Sequence, residues 1–177
     1  MAVLEILRAE HPVLRQKAKR VHHIDDSLQK LIDDMVETLH AANGVGLAGP
    51  QVGVPLRVAV IQTPAEYQEP HAGELFVLIN PEIIKKSDEV DMDEGCLSLP
   101  GYVGSIKRAE HVTAKARDRN GKEYRIKAEG VLAEALQHEV DHLNGILFYD
   151  HLASPDLLRR LQPAEQSQPE TPPKESD

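Results

Sequence analysis

Residues 131–145, VLAEALQHEVDHLNG, decide the architecture because they combine a helical pattern with several ionisable side chains. Apolar residues recur at helical spacing up to Gly145, a residue type that often follows the end of a helix. His138 and His142 are four positions apart, so on a helix both imidazoles project from one face, about one turn apart. One metal ion can therefore bind both side chains.

Glu139 lies beside that face, close enough to accept a proton from water at the metal without being a ligand. The alternative is a surface helix with two solvated histidines, because a motif this short also occurs by chance. A third ligand is needed to separate the two interpretations. Cys96, the only cysteine, would by itself be read as a small buried apolar side chain. Together with the two histidines it makes a His2Cys set, which leaves the fourth tetrahedral position open, as catalytic sites require.

The segments before this helix predict mainly antiparallel strands. Residues 111–118 and 122–128 flank Asn120-Gly121, a dipeptide that favours the tight turn of a hairpin. Three further strands are predicted at residues 56–61, 75–79 and 83–85. An amphipathic helix is predicted between the capping residues 25–27 and Asn43-Gly44, and a shaped glycine-rich loop at residues 44–51. We therefore predict an α+β fold, with antiparallel β-sheets around a central metal-binding helix and an N-terminal amphipathic helix.

The length of 177 residues fits one domain. We place a catalytic domain at residues 1–161, because the remaining residues are almost all polar, charged or proline and offer nothing apolar to bury. Residues 162–177 are accordingly predicted to form a disordered acidic tail.

Composition excludes several classes of function. The net charge of -9 and the absence of Trp argue against binding to DNA or single-stranded nucleic acid, which requires clustered cations or aromatic platforms. There is no apolar run long enough for a membrane span and no export signal at the start. A lone cysteine indicates a reducing compartment, so the expected location is the cytoplasm.

Three motifs together resemble the signatures of peptide deformylases: residues 44–51 (GVGLAGPQ), 94–98 (EGCLS) and 137–143 (QHEVDHL). The resemblance extends from about Ile6 to Leu152 and is specific, because generic zinc proteases lack the second motif. It implies a bacterial-type enzyme that removes formate from the N-terminal formyl-methionine of newly made proteins. N-formylmethionyl nascent peptides are therefore the expected substrates.

The resemblance also implies a role for individual residues. The metal ligands would be Cys96, His138 and His142, and Glu139 would be the general base and acid. The resemblance further implies that Gln51 and the N–H of Leu97 stabilise the oxyanion, and that Gly46 and Val45 contact the substrate. It also implies a supporting ion pair between Glu94 and Arg108. One divalent metal ion is implied, with Fe(II) the expectation for the family and Zn(II) or Ni(II) also compatible with the ligand set.

The sequence departs from the family pattern at several positions. Gly49 replaces the usual alanine of the first motif, and Tyr102-Val103 stands where some relatives have an arginine that contacts the peptide. Glu134 lies one turn before His138 and has no assigned role. The acidic tail differs from the basic C-terminal helix with which some relatives dock on ribosomes, so a ribosome contact has little support here.

Two other functions remain open from the sequence. A metallopeptidase could use the same helix on ordinary peptide bonds, although a thiolate ligand argues against it. A non-catalytic metal-binding module could keep the fold, but would be expected to lose Glu139 or Gln51, and both are present.

Overall fold

An antiparallel β-sheet of six strands forms the framework on which both α-helices pack. The computed structural model describes residues 1–162. The elements are α1 (Asp26–Ala41), β1 (Gly46–Ala48), β2 (Val58–Gln62), β3 (Leu75–Glu94), β4 (Tyr102–Arg117), β5 (Glu123–Glu129), α2 (Gly130–Leu143) and β6 (Leu158–Arg160). The strand order is β1-β2-β3-β4-β5, and β6 pairs with β4 at the end of the sheet that lies near the second motif.

The predicted mixture of helices and antiparallel strands is confirmed, but the number of sheets is not. All six strands of residues 1–162 hydrogen-bond into one sheet, whereas several sheets were expected. The reason is the length of β3 and β4, which extend past the predicted strands at 75–79, 83–85 and 111–118. Strand β3 continues through two register shifts against β4, between Ile79 and Glu82 and between Ile83 and Lys85. Such bulges keep a strand paired where its alternating pattern is interrupted.

The β4–β5 hairpin turns where the Asn-Gly signal predicts it. Gly121 has a φ of 85°, which a residue without Cβ adopts easily. The Asp118 side chain also organises the turn, since its Oδ1 accepts hydrogen bonds from the amides of Asn120 (2.9 Å) and Lys122 (3.0 Å). The hairpin leads directly into α2.

Helix α1 begins where the capping residues indicate, because Oδ1 of Asp25 accepts a hydrogen bond from the Leu28 amide at 2.9 Å. Its apolar face is buried against β2. The side chains that form this face are Leu28, Ile32, Met35 and Leu39. The glycine-rich segment after it is more regular than the predicted loop. It contains β1, paired with β2, and a 3-10 helix at Gly49–Val52.

Helix α2 is enclosed almost completely, since Val140 and Asp141 are its only partly exposed residues. Its first turn is capped from a distant loop, where both carboxylate oxygens of Glu69 accept from the Val131 amide at 3.1 and 3.2 Å. This burial places the polar residues of α2 inside the protein.

Neither helix within residues 1–162 has the length and apolar composition needed to cross a membrane. The predicted disordered tail, apart from Gln162, lies outside the described residues.

Candidate metal centre

Cys96, His138 and His142 converge although Cys96 is more than forty residues from the helix that carries the histidines. Their potential ligand atoms all lie within 4.8 Å of one another. Nε2 of His138 is 3.0 Å from Nε2 of His142, and Sγ of Cys96 is 3.3 Å from the latter nitrogen. Cys96 follows the end of β3, and helix α2 supplies both rings from one face, as the four-residue spacing predicts.

The chemistry of these three groups fits a bound cation. Nδ1 of His138 faces the carboxylate of Glu94, which holds a proton at Nδ1, so that a metal ion can take the place of the proton at Nε2. Burial, and then the charge of the neighbouring His138, lowers the pKa of His142, which favours a neutral imidazole. Two imidazole nitrogens and a sulfur directed at one another suit a metal ion, and a set of three protein ligands leaves a further coordination position open.

Glu94 and Arg108 form the predicted ion pair, and both side chains are buried. Nε of Arg108 donates to Oε2 of Glu94 at 2.9 Å, and Nη2 donates to Oε1 at 2.7 Å. Burial opposes ionisation of Glu94, but the charge of His138 and the hydrogen bonds of Arg108 lower its pKa to about 2. In turn Glu94, against the opposing effect of burial, raises the pKa of His138, which makes that ring a more basic ligand. The Glu94–His138 contact was not predicted.

Glu139 is buried beside the cluster and borders a cavity that opens there. Its Oε2 has no hydrogen-bond partner among the described residues, which is unusual for a buried carboxylate. Burial raises the pKa of Glu139 to about 7, so the group can change protonation state near neutral pH. The space it needs depends on Gly46, because a Cβ built on that residue would lie 2.3 Å from Oε1 of Glu139.

Gln51 is held against the cluster from the glycine-rich segment. Its Oε1 accepts from the Ala48 amide at 2.9 Å, and its Nε2 lies 3.1 Å from Oγ of Ser98 and 3.6 Å from Sγ of Cys96. The side chain therefore presents its donor group toward the sulfur. Ser98 was not identified from the sequence.

A cavity of about 300 Å³ opens beside the cluster. Its wall contains Val45 and Gly46, the two residues predicted to contact substrate. It also contains the apolar side chains of Leu97, Val131 and Ala135. Glu134, which had no assigned role, also lines this cavity and is largely buried. A pocket of this size and mostly apolar lining suits one amino-acid side chain next to the reacting group.

A family model described as polypeptide deformylase matches residues 3–157. The chain belongs to the polypeptide deformylase family. A peptide deformylase of Dehalococcoides mccartyi is 54% identical over 163 residues, which cover 92% of this chain and 94% of that protein. The crystal structure of a peptide deformylase from Legionella pneumophila has a TM-score of 0.81 and 49% identity, covering 87% of this chain and 88% of the other.

A second solved relative is the peptide deformylase of Ehrlichia chaffeensis in complex with actinonin, with a TM-score of 0.82 and 43% identity. It covers 87% of this chain and 91% of that chain. These similarities confirm the predicted membership of the deformylases, which are metal-dependent hydrolases that remove formyl groups from N-formylmethionine peptides. They do not favour the metallopeptidase or the non-catalytic module.

Several residues around this deformylase site carry no signal in the sequence. Asp141 accepts from Nη1 of Arg108 at 2.7 Å, and His151 lies 2.8 Å from the same carboxylate. The Phe148 ring stacks against His138, with 6.3 Å between ring centroids. The positions of these side chains depend on how β4 and the segment after α2 pack, and no local pattern encodes that.

Proposed function

We propose that the chain deformylates N-formylmethionyl nascent peptides at a single divalent metal ion held by Cys96, His138 and His142. The convergence of these three groups beside a buried carboxylate, at the wall of a cavity, is the observation that carries the proposal. Helix α2 is then the metal-binding helix of the fold.

We infer Fe(II) as the working metal, with Zn(II) or Ni(II) as substitutes that the same ligand set accepts. A divalent ion here supplies Lewis-acid chemistry at the formyl carbonyl and favours ionisation of water near neutral pH. If Fe(II) is the working metal, activity should decay in air and persist under nitrogen, because Fe(II) beside a thiolate is open to oxidation. Zn(II) has no redox chemistry and should not show this difference. Equal persistence of an iron-loaded sample in both atmospheres would contradict this choice.

Glu139 carries the proton in this proposal. Its carboxylate accepts a proton from the attacking water and returns it to the amine nitrogen that leaves when the carbon–nitrogen bond breaks. A pKa of about 7, raised by burial, suits a group that must act first as base and then as acid at neutral pH. The oxygen without a partner among the described residues is free to make these contacts.

Gln51 and the backbone N–H of Leu97 would stabilise the negative charge that develops on the formyl oxygen. The Gln51 amide is fixed by Ala48 and directed toward Cys96, so its donor lies beside the reacting groups before substrate binds. Removal of one such donor typically lowers kcat by about 10²- to 10³-fold.

The cavity would hold the methionine side chain. Val45 contributes apolar surface, and Gly46 presents backbone atoms at close range because it has no side chain. Glu94 and Arg108 do not contact substrate in this proposal, since they orient His138 from behind.

We place the reaction in a bacterial cytoplasm, where formylated chains are made, and assign no DNA or membrane ligand to this protein. The ribosome is the source of the substrate, but we assign it no docking surface on residues 1–162.

The decisive experiment is Glu139→Gln, which keeps the size of the side chain but removes its ability to accept a proton. We expect kcat for a formyl-Met peptide to fall by about 10²- to 10⁴-fold, with bound metal unchanged. Glu134→Gln is the matched control, because it makes the same change one turn earlier in the same cavity wall. A Glu139→Gln variant that keeps most of its kcat would refute the assignment, and loss of metal would make Glu139 a ligand.

A further inference from the structure

A continuous series of polar contacts connects the protein surface with the candidate metal centre. Nε2 of His151 lies 2.8 Å from Oδ2 of Asp141, and the same oxygen accepts from Nη1 of Arg108 at 2.7 Å. Arg108 in turn donates two hydrogen bonds to Glu94, and Glu94 contacts Nδ1 of His138. The exposed fraction of the side chain falls along this series, from 36% at His151 to 18% at Asp141, 5% at Arg108 and 1% at Glu94.

The direction of each hydrogen bond follows from the chemistry of the groups. An ionised carboxylate only accepts hydrogen bonds, so Nε2 of His151 must carry the proton that it donates to Asp141. The guanidinium of Arg108 is planar and rigid, and it is held on one edge by Glu94 and at its remaining nitrogen by Asp141. Glu94 and Asp141 therefore share one rigid guanidinium, through which the position of Asp141 is connected to the carboxylate that contacts His138.

The segment that carries His151 is itself fixed close to the same ring. His151 ends a 3-10 helix, Phe148–His151, whose first residue is fully buried and stacks on His138. Asp150 anchors the turn by accepting from Nη1 of Arg15 at 2.6 Å and from the Leu147 amide at 3.0 Å. His151 is therefore presented to Asp141 by a fixed backbone.

We propose that His151 is a positioning residue, whose hydrogen bond near the surface restrains His138 and slows the loss of metal from the centre. The inference rests on the proposed assignment of His138 as a ligand. Changes to groups that directly support a metal ligand typically cost 10- to 100-fold in affinity, and His151 acts further from the metal, so we expect about threefold to tenfold.

The test is the rate at which zinc-loaded protein transfers its metal to a chromophoric chelator. His151→Phe should release zinc about threefold to tenfold faster than wild type, because it keeps a ring but removes the donor. His151→Gln should restore slow release, since its amide nitrogen can donate from a similar distance. His111→Phe is the matched control, as His111 is also a partly exposed histidine beside a carboxylate, with Nδ1 3.0 Å from Asp88, but away from the centre. It should release zinc at the wild-type rate.

A second comparison tests whether the effect passes through Asp141. In an Asp141→Ala background, which removes the oxygen that accepts from both His151 and Arg108, His151→Phe should cause no further acceleration, because the pathway is already interrupted. The visible spectrum of the Co(II)-substituted protein should change with His151→Phe and return with His151→Gln. Equal zinc release from wild type and His151→Phe, or a lower melting temperature without faster release, would overturn the proposal. Failure of wild type itself to retain zinc would instead count against the metal site of the proposed function.

Discussion

A methyl group added to Gly46 would displace the group that carries the proton in the proposed reaction. The Cβ of Gly46→Ala would lie 2.3 Å from Oε1 of Glu139, 2.9 Å from its Cδ and 3.1 Å from its Cγ. Non-bonded carbon atoms are most stable at about 3.5–4.0 Å, so the carboxylate has to retreat by roughly 1 Å. Gly46 is not among the glycines with positive φ, so alanine causes no backbone strain there.

The size of the effect follows from that displacement. Misplacement of a reacting group by about 1 Å can cost roughly 10²-fold in rate, and we expect a loss of that order in kcat. The effect on stability should be smaller. Overpacking lowers the free energy of unfolding by about 1–3 kcal/mol, while replacing glycine by alanine in an ordinary backbone conformation raises it by about 0.4–1 kcal/mol.

The assay is steady-state deformylation of a formyl-Met peptide at matched metal content, with thermal unfolding measured in parallel. Gly44→Ala is the control, because its Cβ would also crowd neighbouring side chains, with Cδ1 of Leu97 at 2.7 Å and Cδ1 of Leu39 at 3.1 Å, but Glu139 is not among its three nearest contacts. Combined with Glu139→Ala, Gly46→Ala should have little further effect, since the clashing carboxylate is gone. A Gly46→Ala enzyme with kcat within about threefold of wild type would show that Glu139 keeps its position, because a displacement of about 1 Å should cost far more.

Three further predictions concern the metal ligands, the glycine-rich segment and an ion pair near the surface. Replacement of any one of the proposed ligands by alanine should abolish metal retention, as measured by elemental analysis: these are Cys96, His138 and His142. Near-stoichiometric metal in one of these variants would reject that residue as a ligand. Gly49→Ala restores the usual family residue, yet it should lower the melting temperature, because its Cβ would lie 2.8 Å from the backbone oxygen of Val54; an unchanged melting temperature would show that this backbone yields. Asp150→Asn should remove a small, pH-dependent part of stability. Burial opposes ionisation of Asp150, but its hydrogen bond with Arg15 lowers the pKa, so its contribution is present above the ordinary value of 3.8 and is lost at lower pH. The stability difference between the variants, about 1 kcal/mol or less for so exposed a pair, should shrink from about pH 5 to about pH 3; a difference that is constant with pH would contradict this.

The parts of the fold that sequence predicts well are those fixed by neighbouring residues. The Asp25 cap and the Asn120-Gly121 turn act over a few positions, so α1 and the β4–β5 hairpin begin and turn where expected. Strand β3 was predicted in pieces because its pairing with β4 continues through irregular positions, including Asn80 with a φ of 51°. An irregular residue in a strand interrupts the local pattern without ending the pairing.

The candidate site likewise combines features that neighbouring residues determine with contacts between distant parts of the chain. The spacing of His138 and His142 is a local property of a helix, whereas the approach of Glu94 to His138 spans 44 positions and that of Glu69 to α2 spans 62. The resemblance to deformylases supplied the pairing of Glu94 with Arg108, which the sequence pattern alone does not contain. It did not supply the contact with His151, because that residue lies outside the three motifs.

Helix α2 shows how hydrogen-bond accounting separates structural from reactive polar residues within one motif. Gln137 is adjacent to His138, but its amide group is used entirely by the protein: Oε1 accepts from the Ala109 amide at 3.0 Å, and Nε2 donates to the carbonyls of Ala109 and Ala133 at 2.9 Å. It ties α2 to β4. Glu139, two positions later and equally buried, keeps one oxygen without a partner among the described residues. Because an unsatisfied buried carboxylate costs stability, we attribute its retention beside a cavity to the contacts with substrate and water that the proposed mechanism assigns to Glu139.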